Sequence, residues 1–307
     1  MDICIIGGTG RIGAALIPLL AADTDHLTVV ARGNTAPRDQ TPWDQVTVLA
    51  ATYRRRDREW YRFLEELEAE VVVDLLGIDL PGTYRALGGR VRHLIAAGPF
   101  RMYGEPGIVP TPEEMQSPPD FPDMSRRYQE MIGVQHQARK DGVAFTGLIL
   151  PTVTGPGYVP PDMRGEAEIA AHKALLNGET VRLPLGTSGL VAPCDVEDVA
   201  RAFRHVVRHR DRAADELFNL GPPYAITVEA LLGLYATAFQ TEFSIEYVTW
   251  EAFAEQVVSR PEAQYFFRTH EAPDIRKIRE RLDFEPHFTP EESVERSVRW
   301  MFDQHLL

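Results

Sequence analysis

In the first half of the chain, apolar residues fall in short unbroken runs. They are "ICII" (3–6), "LTVVA" (27–31), "VTVLA" (46–50), "VVVDLL" (71–76), "HLIAA" (93–97) and "FTGLIL" (145–150). They are rich in β-branched residues and show no regular polar alternation, which suits strands covered on both faces of a parallel sheet. Amphipathic stretches near 11–21, 57–69, 83–91 and 124–141 lie between them and predict helices. Strand–helix alternation of this kind predicts an α/β protein built on a doubly wound parallel sheet.

Beyond residue 150 the pattern is less regular. A Pro/Gly-rich loop, "PTVTGPGYVPPD" (151–162), follows the sixth run. Helices are expected over 195–209 and 227–239, with Thr227 as cap and Glu197 and Glu229 near helix starts. "TPEE" announces a last helix near 290–305, with Thr289 as cap and Pro290 in the first turn.

The glycines Gly7, Gly10 and Gly13 sit between the first strand and the first helix. The chain must turn tightly there, approach a pyrophosphate closely and pack the helix on the strand, and the helix start supplies free amides. The stretch Gly7, Thr9, Gly10, Arg11, Ile12 and Gly13 is therefore the expected cofactor loop. The end of the second strand selects the cofactor. An acidic residue would bind the adenosine ribose, whereas "VVARGN" offers Ala31 and then Arg32. A guanidinium can hold a 2′-phosphate by two parallel hydrogen bonds, so NADP(H) is favoured over NAD(H). "YRRRDR" (53–58) reads as a solvated loop able to add a phosphate contact.

Composition narrows the partners. The 307 residues are 44% apolar and 25% charged, with a net charge of −13. Such a charge repels nucleic acid and anionic membrane surfaces on average. No apolar run is long enough to span a membrane, no signal-like segment precedes the first strand, and Cys4 and Cys194 match no metal or redox spacing. A cytoplasmic protein acting on a small molecule is expected.

With "GGTGRIG", "FRMYGEP", "LILPTVTGPG", "VEDVARAF", "ELFNLG" and "DIRKIRERLDFEP" in this order, the sequence resembles the extended short-chain dehydrogenases/reductases, the NAD-dependent epimerase/dehydratase family. The resemblance implies a seven-stranded Rossmann sheet, residues 1–155 plus about 190–222, and a smaller C-terminal substrate subdomain, 156–189 plus about 223–307. It implies substrates such as nucleotide sugars, ketones, aldehydes or enones. Further cofactor contacts are expected at the strand ends, from Leu76, Gly77, Ala97 and Pro151. Family dimers often pair the Tyr128 helix with the preceding one; a homodimer stays open because "PGTYRALGGRV" (81–91) is short and glycine-broken.

The family's catalysis, carried over by position, uses a tyrosine, a lysine four residues later and a hydroxyl on the preceding strand's loop. Tyr128 matches the tyrosine, Ile132 stands where the lysine would, and Pro99 takes the hydroxyl position. Arg127 projects about 100° around the helix from Tyr128, and His136 lies roughly 12 Å along it. Arg101 occupies the place where the progesterone 5β-reductase/iridoid synthase-like group carries a substitute lysine. It would supply a fixed charge without relaying a proton, or else pair with an acidic neighbour such as Glu105. Tyr128 and Arg101 are thus the candidate catalytic residues. His205 and His209 have a chelating spacing but share a basic helix face. Asp162, Arg164, Glu166, Glu168, His172 and Lys173 are either substrate contacts or an exposed amphipathic helix. The expected activity is NADP(H)-dependent oxidoreduction or epimerase/dehydratase-type chemistry with non-standard catalysis. A retired cofactor sensor and a non-redox lyase, isomerase or cyclase are the alternatives.

Overall fold

A computed structural model describes residues 1–32, 42–114 and 122–307. Seven parallel strands form one sheet: β1 (Asp2–Ile6), β2 (His26–Ala31), β3 (Thr47–Ala50), β4 (Val71–Asp74), β5 (His93–Pro99), β6 (Ala144–Leu150) and β7 (Glu216–Asn219). Their order is β7-β6-β5-β4-β1-β2-β3, so the chain reverses direction between β1 and β4. At that switch point, two strands lead away in opposite senses and leave a crevice at their carboxyl ends. The doubly wound parallel sheet read from the sequence is the architecture observed.

Alternate residues of each strand serve opposite faces. Ile3, Ile5, Val71, Val73 and Ile95 pack with α1 (Arg11–Ala21) and the helix Val196–Arg208. Cys4, Ile6, Val72, Leu94 and Ala96 pack on the other side with α2 (Arg58–Glu65), α3 (Leu80–Leu87) and α4 (Pro122–Asp141). A third core, containing Leu183, Tyr235, Phe253, Phe267 and Met301, gathers segments that follow β6. The last helix, Pro290–Asp303, carries the expected capping box between Thr289 and Glu292. It docks on the segments that follow β6 through Ser297, which accepts from the Gly155 amide at 2.6 Å, and through Arg296, which reaches buried Asp195 at 2.9 Å.

Some boundaries differ from the sequence reading, each for a local reason. Helix α3 starts at Leu80 rather than near 83, because Asp79 caps it and Pro81 fits its first turn, and it ends at Gly88 with φ +56. The seventh strand, "ELFN", has too few apolar residues to stand out by pattern. The fourth strand stops at Asp74 instead of Leu76. Asp74 is fully buried, and its Oδ1 accepts from the amides of Leu76 and Gly77, both at 2.9 Å, which turns the chain out of the sheet. Its Oδ2 accepts from the Tyr53 hydroxyl at 3.1 Å, which in turn accepts from the Asp79 amide and the Thr83 hydroxyl.

Burial raises the Asp74 pKa, outweighing the two amides, the Tyr53 hydroxyl and the charge of Arg127, all of which favour the carboxylate. Below the unfolded-state value of about 4 the group is protonated in both states and its contribution is complete. As pH climbs through the raised folded-state value, that contribution is lost. Asp74→Asn should therefore gain stability relative to the native protein as pH rises from about 4. Urea denaturation across that range measures this, and a difference running the other way would show the carboxylate to be the stabilised form.

Candidate cofactor cleft and active site

The crevice opens at the first glycine turn. Gly7, at φ +84, donates its amide to Val30 O, and Gly10 donates to Gly7 O, both at 2.9 Å. A methyl group on Gly13 would stand 2.1 Å from the Gly8 carbonyl oxygen, so only glycine lets α1 lie this close to β1. Gly10 caps α1 without any side chain, which leaves the first amides of the helix facing the crevice. Anions bind such a start through amide donors and the positive end of the helix dipole. The cleft encloses about 790 Å³ between Gly7, Thr9, Gly10, Arg32, Tyr53 and Leu76. Arg32 is exposed on its wall and makes no hydrogen bond or ion pair among the described residues. Ile12 packs inward against the core, while Arg11 lies 5.0 Å over the ring of Tyr158, in the Gly-Pro-Gly loop.

Across the crevice, the ends of β4 and β5 are joined by α4. Gly77, at φ +54, sits against Ala97 O, where an added Cβ would be 3.1 Å away. Arg127 donates through Nη1 to Gly77 O at 3.2 Å. It lines a small hollow with Gly77, Ala97, Gly98 and Pro99. The angular offset that separates Arg127 from Tyr128 is what carries its guanidinium over the strand ends. Glu130, one turn on, is gripped by Arg55 through both carboxylate oxygens. Arg55 also donates to Ile78 O at 2.7 Å, so this part of the "YRRRDR" loop is committed to the protein itself.

Tyr128 lies on the neighbouring face of α4, partly buried with Ile132, its ring edge-on to Tyr103 at 6.2 Å. Burial raises its pKa, which keeps the phenol protonated at neutral pH. Pro99 ends β5, opposite Leu150 in the register, and supplies no hydroxyl. Arg101 follows in the 3-10 turn Phe100–Tyr103. Its acidic neighbour is Glu271 rather than Glu105: Nε stands 3.9 Å from Glu271 Oε2, while Glu271 Oε1 accepts from the Thr152 amide at 2.7 Å. Arg101, Thr152, Leu190, Phe266, His270 and Glu271 enclose a pocket with only about 20 Å³ free. That holds about one water. Pro151 is buried where β6 gives way to this pocket's edge.

Other sequence candidates serve the scaffold. Asp162 is buried and accepts from the amides of Arg164, Glu166 and Glu168. Glu166 pairs with Ser259 and Arg260, and His172 is buried with Nε2 on Pro160 O. These three are therefore not an exposed amphipathic face. His205 faces Leu282 O, and His209 meets Arg212. Among the described residues, no cluster of His, Cys, Asp and Glu could hold a metal ion, and no helix is long and apolar enough to cross a membrane. Asp74 and Glu271 escaped the sequence reading, which considered Arg127 only as a helper for Tyr128 and set it aside. The first left one signal, an acid interrupting an apolar run, whereas Glu271 reaches its partners only through the folded chain.

Comparison with known proteins agrees with this architecture. The model of the NAD dependent epimerase/dehydratase family matches residues 83–221. No curated protein matches the sequence. Among solved structures, a UDP-glucose 4-epimerase from Thermotoga maritima superposes with a TM-score of 0.76 at 22% identity, covering 100% of both chains. A dTDP-glucose 4,6-dehydratase from Bacillus anthracis, solved with NAD, gives 0.76 at 16% identity over 100% of each chain. The dehydratase DesIV of Streptomyces venezuelae, also with NAD, gives 0.78 at 17% over 99% of this chain and 98% of that one. The chain thus has the fold of the extended short-chain dehydrogenase/reductase epimerases and dehydratases, and its residues 83–221 match the model of the NAD-dependent epimerase/dehydratase family.

Proposed function

We propose that this protein is an NADP(H)-dependent enzyme of oxidoreductase or epimerase/dehydratase type, acting on a carbonyl, enone or sugar-like small molecule. The observation that carries the reading is Arg32, an exposed guanidinium on the wall of the glycine-loop cleft with its donors unspent among the described residues. Its position at the end of β2 suits the 2′-phosphate that separates NADP from NAD. A bound NADP(H) would supply or accept a hydride. The chain's own part is to orient the reactants, exclude water and handle the proton.

The two candidate catalytic residues divide that part. A tyrosine is protonated at neutral pH and so poorly suited as a base, and Tyr128 is assigned the acid role in the reducing direction, with burial making it a weaker acid than a free phenol. Arg101 cannot exchange a proton, and Glu271 holds it at the pocket's edge. There its charge would favour a developing oxyanion. One observation favours a second reading: Pro99 and Ile132 leave the family's other two catalytic positions without a hydroxyl or a base, as in a cofactor-binding protein that no longer turns over substrate.

Arg32→Ala should weaken NADPH binding by about tenfold or more, the loss of a charge-assisted phosphate contact, and leave NADH within about twofold. Fluorescence titration measures both, and an equal effect on the two cofactors would remove the NADP(H) assignment. Turnover is to be sought with UDP-glucose, dTDP-glucose and a panel of enones and ketones. With a substrate found, Tyr128→Phe should lower kcat by roughly 10²–10⁴-fold. A change smaller than about threefold would mean that Tyr128 is not the acid, and cofactor binding without turnover of any compound would favour the second reading.

A further inference from the structure

We propose that Arg127 holds the ribose on the nicotinamide side of the dinucleotide, an inference that rests on the cofactor reading above. With the diphosphate at the uncapped start of α1 and the adenosine toward Arg32, the other half of the molecule must run over the carboxyl ends of β4 and β5. The strand-end residues met there are Leu76, Gly77, Ala97, Gly98 and Pro99, which offer backbone and apolar surface. Among the described residues, the charged side chains lining the β4–β5 hollow are Arg127 and Glu130. Glu130 is spent on Arg55, with Arg126 3.7 Å away. Arg127 is half-buried and has five N–H donors, of which one is used among the described residues, on Gly77 O at 3.2 Å.

The geometry suits a vicinal diol. Two ribose hydroxyls side by side present acceptors to a planar fork of donors, and a half-buried guanidinium with unspent donors has reason to seek them. Arg127 is also held in register from below. Its acceptor carbonyl belongs to Gly77, whose amide is locked onto Asp74 at 2.9 Å. Arg127 thus reaches the ends of β4 and β5, while Tyr128, the next residue on α4, packs its ring edge-on to Tyr103. The opposing reading is that Arg127 merely fastens the Gly77 turn to α4.

Calorimetric titration of the native protein, Arg127→Ala and Arg127→Lys with NADP⁺, NAD⁺ and adenosine 2′,5′-bisphosphate separates the two. The bisphosphate carries the adenosine half but no nicotinamide ribose. Arg127→Ala should weaken both dinucleotides by a common factor of about ten or more and leave the bisphosphate within about twofold. Arg127→Lys, which keeps the charge but not the planar fork, should recover the dinucleotides only in part, to an affinity between those of Arg127→Ala and the native protein. Unchanged dinucleotide affinity in Arg127→Ala, or an equal loss for the bisphosphate, would overturn the proposal, the latter in favour of the fastening role. If the native protein binds none of the three ligands, the cofactor reading itself fails and this assignment with it. A loss confined to NADP⁺ would place Arg127 on the 2′-phosphate instead and also overturn the proposal.

Discussion

A buried carboxyl group, with no cation in contact among the described residues, sits at the centre of this site. Asp74 ends β4 inside the protein, and it is satisfied by two backbone amides and one phenol. A buried charge is tolerable only when its lone pairs are met, so the groups that meet them are fixed with it. Leu76 is thereby held over Gly7, its side chain standing where a Cβ on that glycine would collide. Gly77 is held with its carbonyl toward α4, which places Arg127. Tyr53, the third partner, stacks on Trp60 at 4.5 Å and forms part of the cleft wall. One side chain thus sets the positions of the cleft's floor, wall and far end.

Around that anchor the charges are distributed in an unusual way. Family catalysis, as the resemblance implies it, relies on a lysine one turn beyond the tyrosine to lower a phenol's pKa and to hold a ribose. Here the position beyond Tyr128 is Ile132, and burial raises the phenol's pKa with no base nearby on the helix to reverse it. Cationic groups instead stand at Arg32 on the cleft wall, at Arg127 beside the ends of β4 and β5, and at Arg101 in the turn after β5. None of these guanidinium groups exchanges a proton at neutral pH. Under the proposed function, these groups would hold anions and hydroxyls, and proton transfer would fall to the protonated tyrosine or to water.

Much of this was legible along the chain, and the exceptions share a cause. The strands, their burial on both faces and the glycine loop follow from local constraints, because runs of β-branched residues and a turn that excludes Cβ leave a pattern within a few residues. Helix ends marked by Thr227 and Thr289 were legible for the same reason. What escaped was set by distant partners. Arg101 looks in sequence to Glu105 but finds Glu271 in the fold. Arg127 was set aside because it does not share the face of Tyr128, although the cleft lies on the face it does occupy. Asp74 stood inside an apolar run, and the same residue ends the strand there.

A crystal structure of the protein with NADP⁺ would show where the dinucleotide lies. The diphosphate is expected on the amides that open α1, the 2′-phosphate on Arg32, and the nicotinamide ribose on Arg127. The nicotinamide ring would then face the pocket between Arg101 and Glu271. A dinucleotide bound with its 2′-phosphate turned away from Arg32, and its second ribose out of reach of Arg127, would contradict this placement.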